Sequence, residues 1–479
     1  MPYQVANNID PNKVFLVNFS ELEERWDPSY ILYSKNTKNY VFPIVPLNDL
    51  ITKNPQYGTA ESGIIRTAEI EPRYIRITDI DEYGNLIEGL GATAATVEKQ
   101  YILHDNDILF ARSGATVGKA YLHKKQPYVC FFAGYMIRIV VDETQILPEY
   151  LFIYTQLQPY KDWVKAIQRA AAQPNINAEE FKSMPIPLPP LPIQQQIVGV
   201  YNSAQKLRRR KLCNSKQKLT SIDAYLLNEL GITMPETDNG LEKRIFTVKF
   251  SEVCGGRFDP FYNNIVYSQI EDNTRNGRYK CVKLKKLCTF TSGVVYSSKD
   301  ETNEGHAILR ANNINLETND LNLSDIRYID SRIPLPESLK LKKDDIFICT
   351  ASGSKEHAGK VAFIDTDTSF YFGGFMGALR TSDEDIMPRY LFEYLASIMF
   401  KETLYRNLGG TNINNISFKM IENISIPIPP LDKQREIAEH IAAIRAEAKR
   451  LEQEGEEILQ SARQQVERMI LGIPNQTNS

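Results

Sequence analysis

The chain carries one plan twice, and that duplication limits its possible folds more than any other feature of the sequence. Arg25-Trp26-Asp27-Pro28-Ser29-Tyr30 recurs as Arg257-Phe258-Asp259-Pro260-Phe261-Tyr262, and Tyr74-Ile75-Arg76-Ile77-Thr78-Asp79-Ile80 answers Ile308-Leu309-Arg310-Ala311-Asn312-Asn313-Ile314. Asp105-Asn106-Asp107-Ile108-Leu109-Phe110, followed by Ser113-Gly114 and Gly118-Lys119, matches Lys343-Asp344-Asp345-Ile346-Phe347-Ile348 with Ser352-Gly353 and Gly359-Lys360. Gly134-Tyr135-Met136, Pro148-Glu149-Tyr150-Leu151-Phe152 and Ile186-Pro187-Leu188-Pro189-Pro190-Leu191 return as Gly374-Phe375-Met376, Pro388-Arg389-Tyr390-Leu391-Phe392 and Ile426-Pro427-Ile428-Pro429-Pro430-Leu431. The blocks keep their order while the gaps between them drift, as in duplicated domains with loops of variable length. The unit is too long for a solenoid repeat; it is a domain with an appended helix.

Each copy reads mostly as strands: β-branched and aromatic runs at Tyr101–Leu103, Asp107–Phe110 and Tyr135–Val141, broken by Gly, Asn and Asp turns. Pro148–Ile167 and Pro388–Tyr405 read as helical, each opening on proline, with Pro159 breaking or kinking the first. The expectation is an α+β class with two tandem duplicated domains. After each Pro-Pro the period becomes helical. Apolar or small residues recur at Ile437, Ile441, Ile444, Ala448, Leu451, Gly455, Ile458, Ala462, Val466 and Met469 behind an Asp432 N-cap, a heptad stripe with one late stutter. The first helix shows Ile193, Ile197, Val200, Ala204 and Leu207, then a one-residue phase shift to Leu212, Leu219, Ile222 and Leu226. Gly231 and Gly472 are natural stops.

The boundaries follow: an N-terminal domain over 1–190, a first long helix over 191–231, a linker over 232–245, a C-terminal domain over 246–430, a second long helix over 431–472 and a tail over 473–479. Neither helix can bury its stripe alone. The expected partner is the other helix, paired as an antiparallel coiled coil, with a homodimer seam as the alternative. A helix of about 37 residues is roughly 55 Å long, a length that spans about 16 base pairs of B-DNA.

A net charge of −3 at pH 7 counts only mildly against a nucleic-acid partner, since the positive charge such binding needs is local. No run of about 18 apolar residues and no apolar leader are present, so a cytoplasmic address is expected. The cysteines, Cys130, Cys213, Cys254, Cys281, Cys288 and Cys349, show neither CxxC pairs nor histidines at ligand spacing, so no metal site is expected. The histidines build no Ser/His/Asp or Cys/His order that recurs in both copies, so no catalytic residue is assigned.

Asp27-Pro28-Ser29-Tyr30 and Asp259-Pro260-Phe261-Tyr262 resemble the Asp-Pro-Pro-Tyr signature of amino-methyltransferases but miss its third position, and no Gly-rich loop accompanies them. They are read as anchors at the start of each domain. Gly114-Ala115-Thr116-Val117-Gly118-Lys119-Ala120 is one residue short of a P-loop. It is either a phosphate-contacting turn, helped by Arg112, or a tight turn with a solvated lysine. The candidate DNA-binding residues are Tyr57, Arg66, Arg73, Arg76, Arg112, Thr116 and Lys119 in copy one, and Tyr296, Lys299, Arg310, Asn312, Asn313, Lys355 and Lys360 in copy two. Arg and Asn suit guanine and adenine edges. The helix-seam residues are Ile197, Ala204, Leu207, Leu219, Leu226, Ile437, Ile441, Ile444, Leu451 and Ile458. The basic run Lys206, Arg208, Arg209, Arg210, Lys211, Lys216 and Lys218 faces either DNA or, the favoured reading, Glu447, Glu452, Glu454 and Glu456 on the other helix.

Two domains that each close with Ile-Pro-x-Pro-Pro-Leu, continue with Gln194-Gln195-Gln196-Ile197 or Lys433-Gln434-Arg435-Glu436-Ile437 and end in a long heptad helix resemble the specificity subunits of type I restriction-modification enzymes. The resemblance covers nearly the whole chain. It implies a non-catalytic subunit whose two target-recognition domains read the halves of a bipartite double-stranded DNA target. It further implies two methylase subunits for adenine methylation and restriction/motor subunits for cleavage, with S-adenosylmethionine, ATP and Mg2+ on those partners and no cofactor in this chain. One departure is Ala171-Ala172-Gln173-Pro174-Asn175-Ile176-Asn177, which lacks the Gly409-Gly410-Thr411-Asn412-Ile413-Asn414 pattern of copy two. A specificity subunit for a fused nuclease-methylase system would read alike, a self-sufficient adenine methyltransferase is the enzymatic alternative, and a scaffold without DNA function is the structural one.

Overall fold

The computed structural model describes residues 14–17, 19, 28–37, 40–168, 174–235, 245–254, 258–260, 262–352, 357–408 and 414–471. Arg25, Trp26, Asp27, Arg257, Phe261, Gly353, Lys355, the segments 171–173 and 409–413, Gly472 and the tail from 473 lie outside the described residues, as does most of the linker. Backbone proximity divides the chain into two units, Met1–Arg210 with Glu454–Ser479, and Lys211–Gln453.

In the first unit the strand Ile108–Ala111 is buried at every position. Period-two alternation sends Ile108 and Phe110 to one face, where they pack with Tyr154, Trp163 and Phe181, and Leu109 to the other, against Ile75, Phe132 and Met136. Its antiparallel sheet runs in the order Gln56–Tyr57, Met136–Ile139, Ile108–Ala111, Ala120–Leu122. A second sheet runs Gly63–Ile65, Ala92–Ala94, Arg73–Ile75, Cys130–Phe132, its last pair parallel. Ile44–Pro46 pairs with Pro185–Pro187 and so joins the beginning of the module to its proline bracket.

The second unit repeats this arrangement. Cys288–Ser292, Met376–Thr381, Ile346–Cys349 and Val361–Phe363 form one sheet, Glu301–Thr302, Arg327–Ile329, His306–Leu309 and Tyr371–Phe372 the other, and Cys281–Lys283 pairs with Ser425–Pro427. Ile346 and Ile348 face the helices, Phe347 and Cys349 the second sheet. The Asn-Asp or Asp-Asp before each central strand is explained by its turn. Asn106 (φ 72°) and Asp344 (φ 68°) are left-handed, and the buried Asp107 and Asp345 accept the His104 and Lys342 amides and bind Arg138 and Arg380.

Several local expectations change. In place of the strand expected at Tyr101–Leu103, Tyr101 ends the 3-10 turn Lys99–Tyr101 and Ile102 makes a lone bridge to Phe131, and the strand expected at 135–141 is shorter, Met136–Ile139. The helical stretch after Pro148 divides into Pro148–Tyr154 and Gln158–Ile167. The one after Pro388 also divides, into Pro388–Ala396 and Ile398–Leu408, with no proline at the break. There Ser397 is extended and the Ile398 amide is capped by Asp223 of the first long helix at 3.0 Å.

The long helices span Leu191–Leu230 and Leu431–Leu471. Asp432 lies inside the first turn of its helix, not at the N-cap, where a carboxylate still favours the dipole. Gly231 (φ 64°) ends the first helix in a Schellman arrangement, with the Ile232 amide on Leu227 O and its own on Asn228 O. The helices run antiparallel within each unit. Arg208 binds Glu456 in the first, and in the second Ser215 meets Glu452, Tyr225 stacks on His440 at 4.1 Å and Lys433 binds Glu229.

The seam takes a different path from the apolar letters. Ile197, Ala204, Leu226, Ile437, Ile441 and Leu451 are buried, and Leu219 and Ile444 are half-buried. Leu207 is 43% exposed, because the inward stripe passes through Tyr201, Ala204, Arg208, Ser215 and Ile222 without the expected phase shift. Ile458 is half-buried while Leu459 is fully buried. The reason is that the stripe serves two neighbours. Ile197, Tyr201, Leu459, Val466 and Ile470 join the core of the first module, and Ile222, Leu226, Leu230, Ile437 and Ile441 that of the second. Of the basic run, Arg208 faces the acidic helix. Arg450 first, and Lys218 and Lys211 after it, hold the Glu447 carboxyl below its ordinary value.

Candidate nucleic-acid interface

Several of the expected base-reading side chains are spoken for inside the modules. Arg66 is 1% exposed: its Nε donates to Glu71 O (2.8 Å), Nη1 to Leu90 O (2.9 Å) and Nη2 to Glu69 O, with its guanidinium 4.2 Å from the Tyr128 ring centre. Arg73, also buried, donates to Ile87 O (2.7 Å) and to the Tyr128 hydroxyl (3.3 Å). Both arginines hold the loop after Ile65 in shape, which corrects their assignment to DNA. Satisfied carbonyls are a low-energy place for a guanidinium that has left water.

Asn313 is likewise buried, accepting the Arg310 amide and donating to Asn322 O and Asp325 O. It matches Asp79, which accepts the Arg76 amide and grips that arginine's side chain at 2.9 and 3.0 Å. In the glycine-lysine turn the lysine is bonded back to the module. Lys119 donates to Ile80 O at 2.5 Å, and the buried Lys360 to Ile314 O at 2.8 Å, the same bond in both copies. Gly118 (φ 85°) and Gly359 (φ 82°) press under Val164 and Leu404, where a Cβ would collide.

In the first module the Arg112 guanidinium stacks 4.7 Å from the Tyr57 ring centre, and Tyr57, 38% exposed, accepts the Ala178 amide on its hydroxyl. Arg112 is half-buried; it has no ion-pair partner among the described residues, and its Nε is buried without a hydrogen-bond partner there. Its amide donates to Tyr135 O (3.0 Å), and Tyr135 projects 68% exposed. Thr116 is exposed nearby in sequence, and the Arg76 side chain is 41% exposed. In the second module Lys299 and Asn312 are exposed, Tyr296 is half-buried and Arg310 pairs with Asp325 at 2.9 Å. Sequence reasoning missed Tyr135, Phe375 (74% exposed) and Val295 (91% exposed). The matched Gly-Tyr-Met and Gly-Phe-Met blocks were the available signal, since an aromatic kept on the outside of a repeated turn has no packing reason to be there.

The backbone defines which positions correspond. Arg112 N donates to Tyr135 O and its O accepts from Ile176; Thr350 N donates to Phe375 O and its O accepts from Ile416. Gly58 and Gly293 fit in the same way against Ala133 O and Gly373 O, closer than any Cβ could come. The Arg112 and Tyr57 positions of copy one are therefore Thr350 and Ser292 in copy two, different side chains on one scaffold. An unpaired guanidinium stacked on tyrosine beside an outward aromatic can donate to base edges or phosphates and stack on bases, whereas in copy two Thr350 is buried and only the short Ser292 hydroxyl is exposed.

A duplicated α+β module with unlike outer faces defines a two-headed recognition protein. A family model for the type I restriction modification DNA specificity domain matches residues 74–203 and 276–460, and the chain belongs to that family. It is 24% identical over 349 residues, 72% of this chain and 74% of the relative, to the type I restriction enzyme MjaVIII specificity subunit of Methanocaldococcus jannaschii. It is 33% identical over 165 residues, 34% of this chain and 35% of the relative, to the StySPI specificity subunit of Salmonella potsdam. The crystal structure of a type I restriction-modification S subunit from M. genitalium aligns over 95% of this chain and 99% of that one, at 13% identity and a TM-score of 0.42. Two specificity domains in one polypeptide fit a bipartite DNA target. Among the described residues no helix is long and apolar enough to cross a membrane.

Proposed function

We propose that this chain sets the DNA sequence preference of a type I restriction-modification complex, the module within 1–190 reading one half-site and the module within 246–430 the other. The observation that carries the reading is the substitution of Thr350 and Ser292 for Arg112 and Tyr57 on an otherwise repeated scaffold. A reader of two unlike half-sites needs constant support and variable contacts. The contact set is Tyr57, Arg112, Thr116 and Tyr135 in the first module, and Val295, Tyr296, Lys299, Asn312 and Phe375 in the second, with Arg76 and Arg310 at the margins. The paired helices hold the halves at a fixed, unread separation and dock two methylase subunits.

Chemistry belongs to the partners in this proposal. S-adenosylmethionine is held by the methylase subunits, ATP and Mg2+ by the restriction/motor subunits, and the complex works in the cytoplasm. Methylome sequencing of the host with and without this chain is the direct test. The expected outcome is an interrupted, adenine-methylated motif that disappears on deletion. A contiguous motif, or one that survives deletion, refutes the proposal.

A further inference from the structure

We propose that the polar ties between each recognition module and the long helices enforce the spacing between half-sites, with Tyr83 and Arg445 as positioning residues. This rests on the specificity reading above. In the first unit the turn at 81–85 is organised by Asp81, whose carboxylate accepts the Tyr83 amide (2.9 Å) and the Asn85 amide (2.7 Å) and binds the Asn85 side chain. The turn delivers the Tyr83 ring between two guanidiniums of the long helices, Arg208 at 3.9 Å and Arg463 at 5.4 Å from the ring centre. Its hydroxyl donates to Glu456 (2.8 Å), whose other oxygen takes Arg208 (2.7 Å).

In the second unit the matching turn is organised by Asn315, which accepts the Glu317 and Thr318 amides. It presents the Thr318 carbonyl to Arg445 at 2.7 Å. The rest of that guanidinium grips the fully buried Glu393 at 2.8 and 3.1 Å. Beside it lies an open polar cavity of about 310 Å³ lined by Asn315, Thr318, Asn322, Arg445, Lys449 and Glu452, so packing alone does not stop the turn from shifting.

Both ties are directional. Apolar burial keeps a module on its helices, whereas an aromatic ring held between two cations, or a carbonyl held by a guanidinium, also fixes its angle. A small rotation at this turn becomes a displacement of the reading face along a duplex. The two ties are built from different residues, Gln205 standing where the repeat would place Arg445.

The test uses the full chain assembled with its methylase subunits, on duplexes whose half-sites are separated by the native spacer or by one base pair more or less. Tyr83→Ala and Arg445→Lys are expected to raise methylation of the wrong spacings relative to the native one by about fivefold, the ratio that one such polar contact supplies. The same half-site bases should still be required. Tyr83→Phe keeps the ring between the arginines and loses only the Glu456 bond, so it should fall between wild type and Tyr83→Ala, and it decides the matter should Tyr83→Ala fail to assemble. Unchanged spacing preference in the assembled variants overturns the inference, as does relaxed base preference at fixed spacing. A wild-type complex that methylates no interrupted site refutes the specificity reading instead.

Discussion

Gln194 accepts the Leu147 amide and donates to the carbonyls of Gln145 and Pro189, and Gln434 repeats this with Met387, Asp385 and Pro429. Both side chains are fully buried with every bond made at 3.0 Å or less. This is why the proline bracket is followed by glutamine at this position in both copies: one amide ties the start of the long helix to the loop before the helix that opens on Pro148 or Pro388. Gln434→Ala should destabilise the second module by about 1–3 kcal/mol, because it strands a buried amide and two carbonyls, and chemical denaturation of the full chain measures it. Arg112 is the opposite kind of residue, committed only to stacking. Arg112→Ala should weaken recognition by about 1–3 kcal/mol at one half-site only, read as relaxed base preference there in a methylation assay with randomised half-sites. A loss spread equally over both halves would exclude a local reading role.

At the scale of the element, the long helices were legible as helices because proline brackets and a heptad period are local signals. Their contact line was not. A heptad reading follows apolar letters, yet Arg208 and Ser215 lie on the inward stripe because the facing helix offers Glu456 and Glu452. Ile441→Ala should cost about 2–5 kcal/mol, since its side chain is fully buried in the second module's core. Leu207→Ala should stay within about 0.5 kcal/mol. Thermal unfolding of the two variants side by side separates this contact line from the one the sequence suggests. The break at Ser397 is a further element that no local signal announces, since the Asp223 carboxylate that caps Ile398 comes from another helix.

For the whole molecule, the repeat of both sheets with one strand order makes each module a replaceable unit. Exchanging residues 40–187 for the corresponding stretch of a related specificity subunit should change one half of the methylated motif and leave the other half as it was. A methylome in which both halves change would contradict independent reading.

The sequence alone determined the duplication, the α+β alternation, the turns before each central strand and the two long helices, because each is written in residues close together in the chain. It also determined the family, through blocks present twice in the same order. Only the tertiary structure decided which cations are free. Arg66, Arg73, Lys119 and Lys360 are consumed by carbonyls that the fold brings to them, and Arg112 is left beside Tyr57 and Tyr135. The fate of a long charged side chain depends on which distant backbone groups lack a partner, and residue spacing holds no record of that.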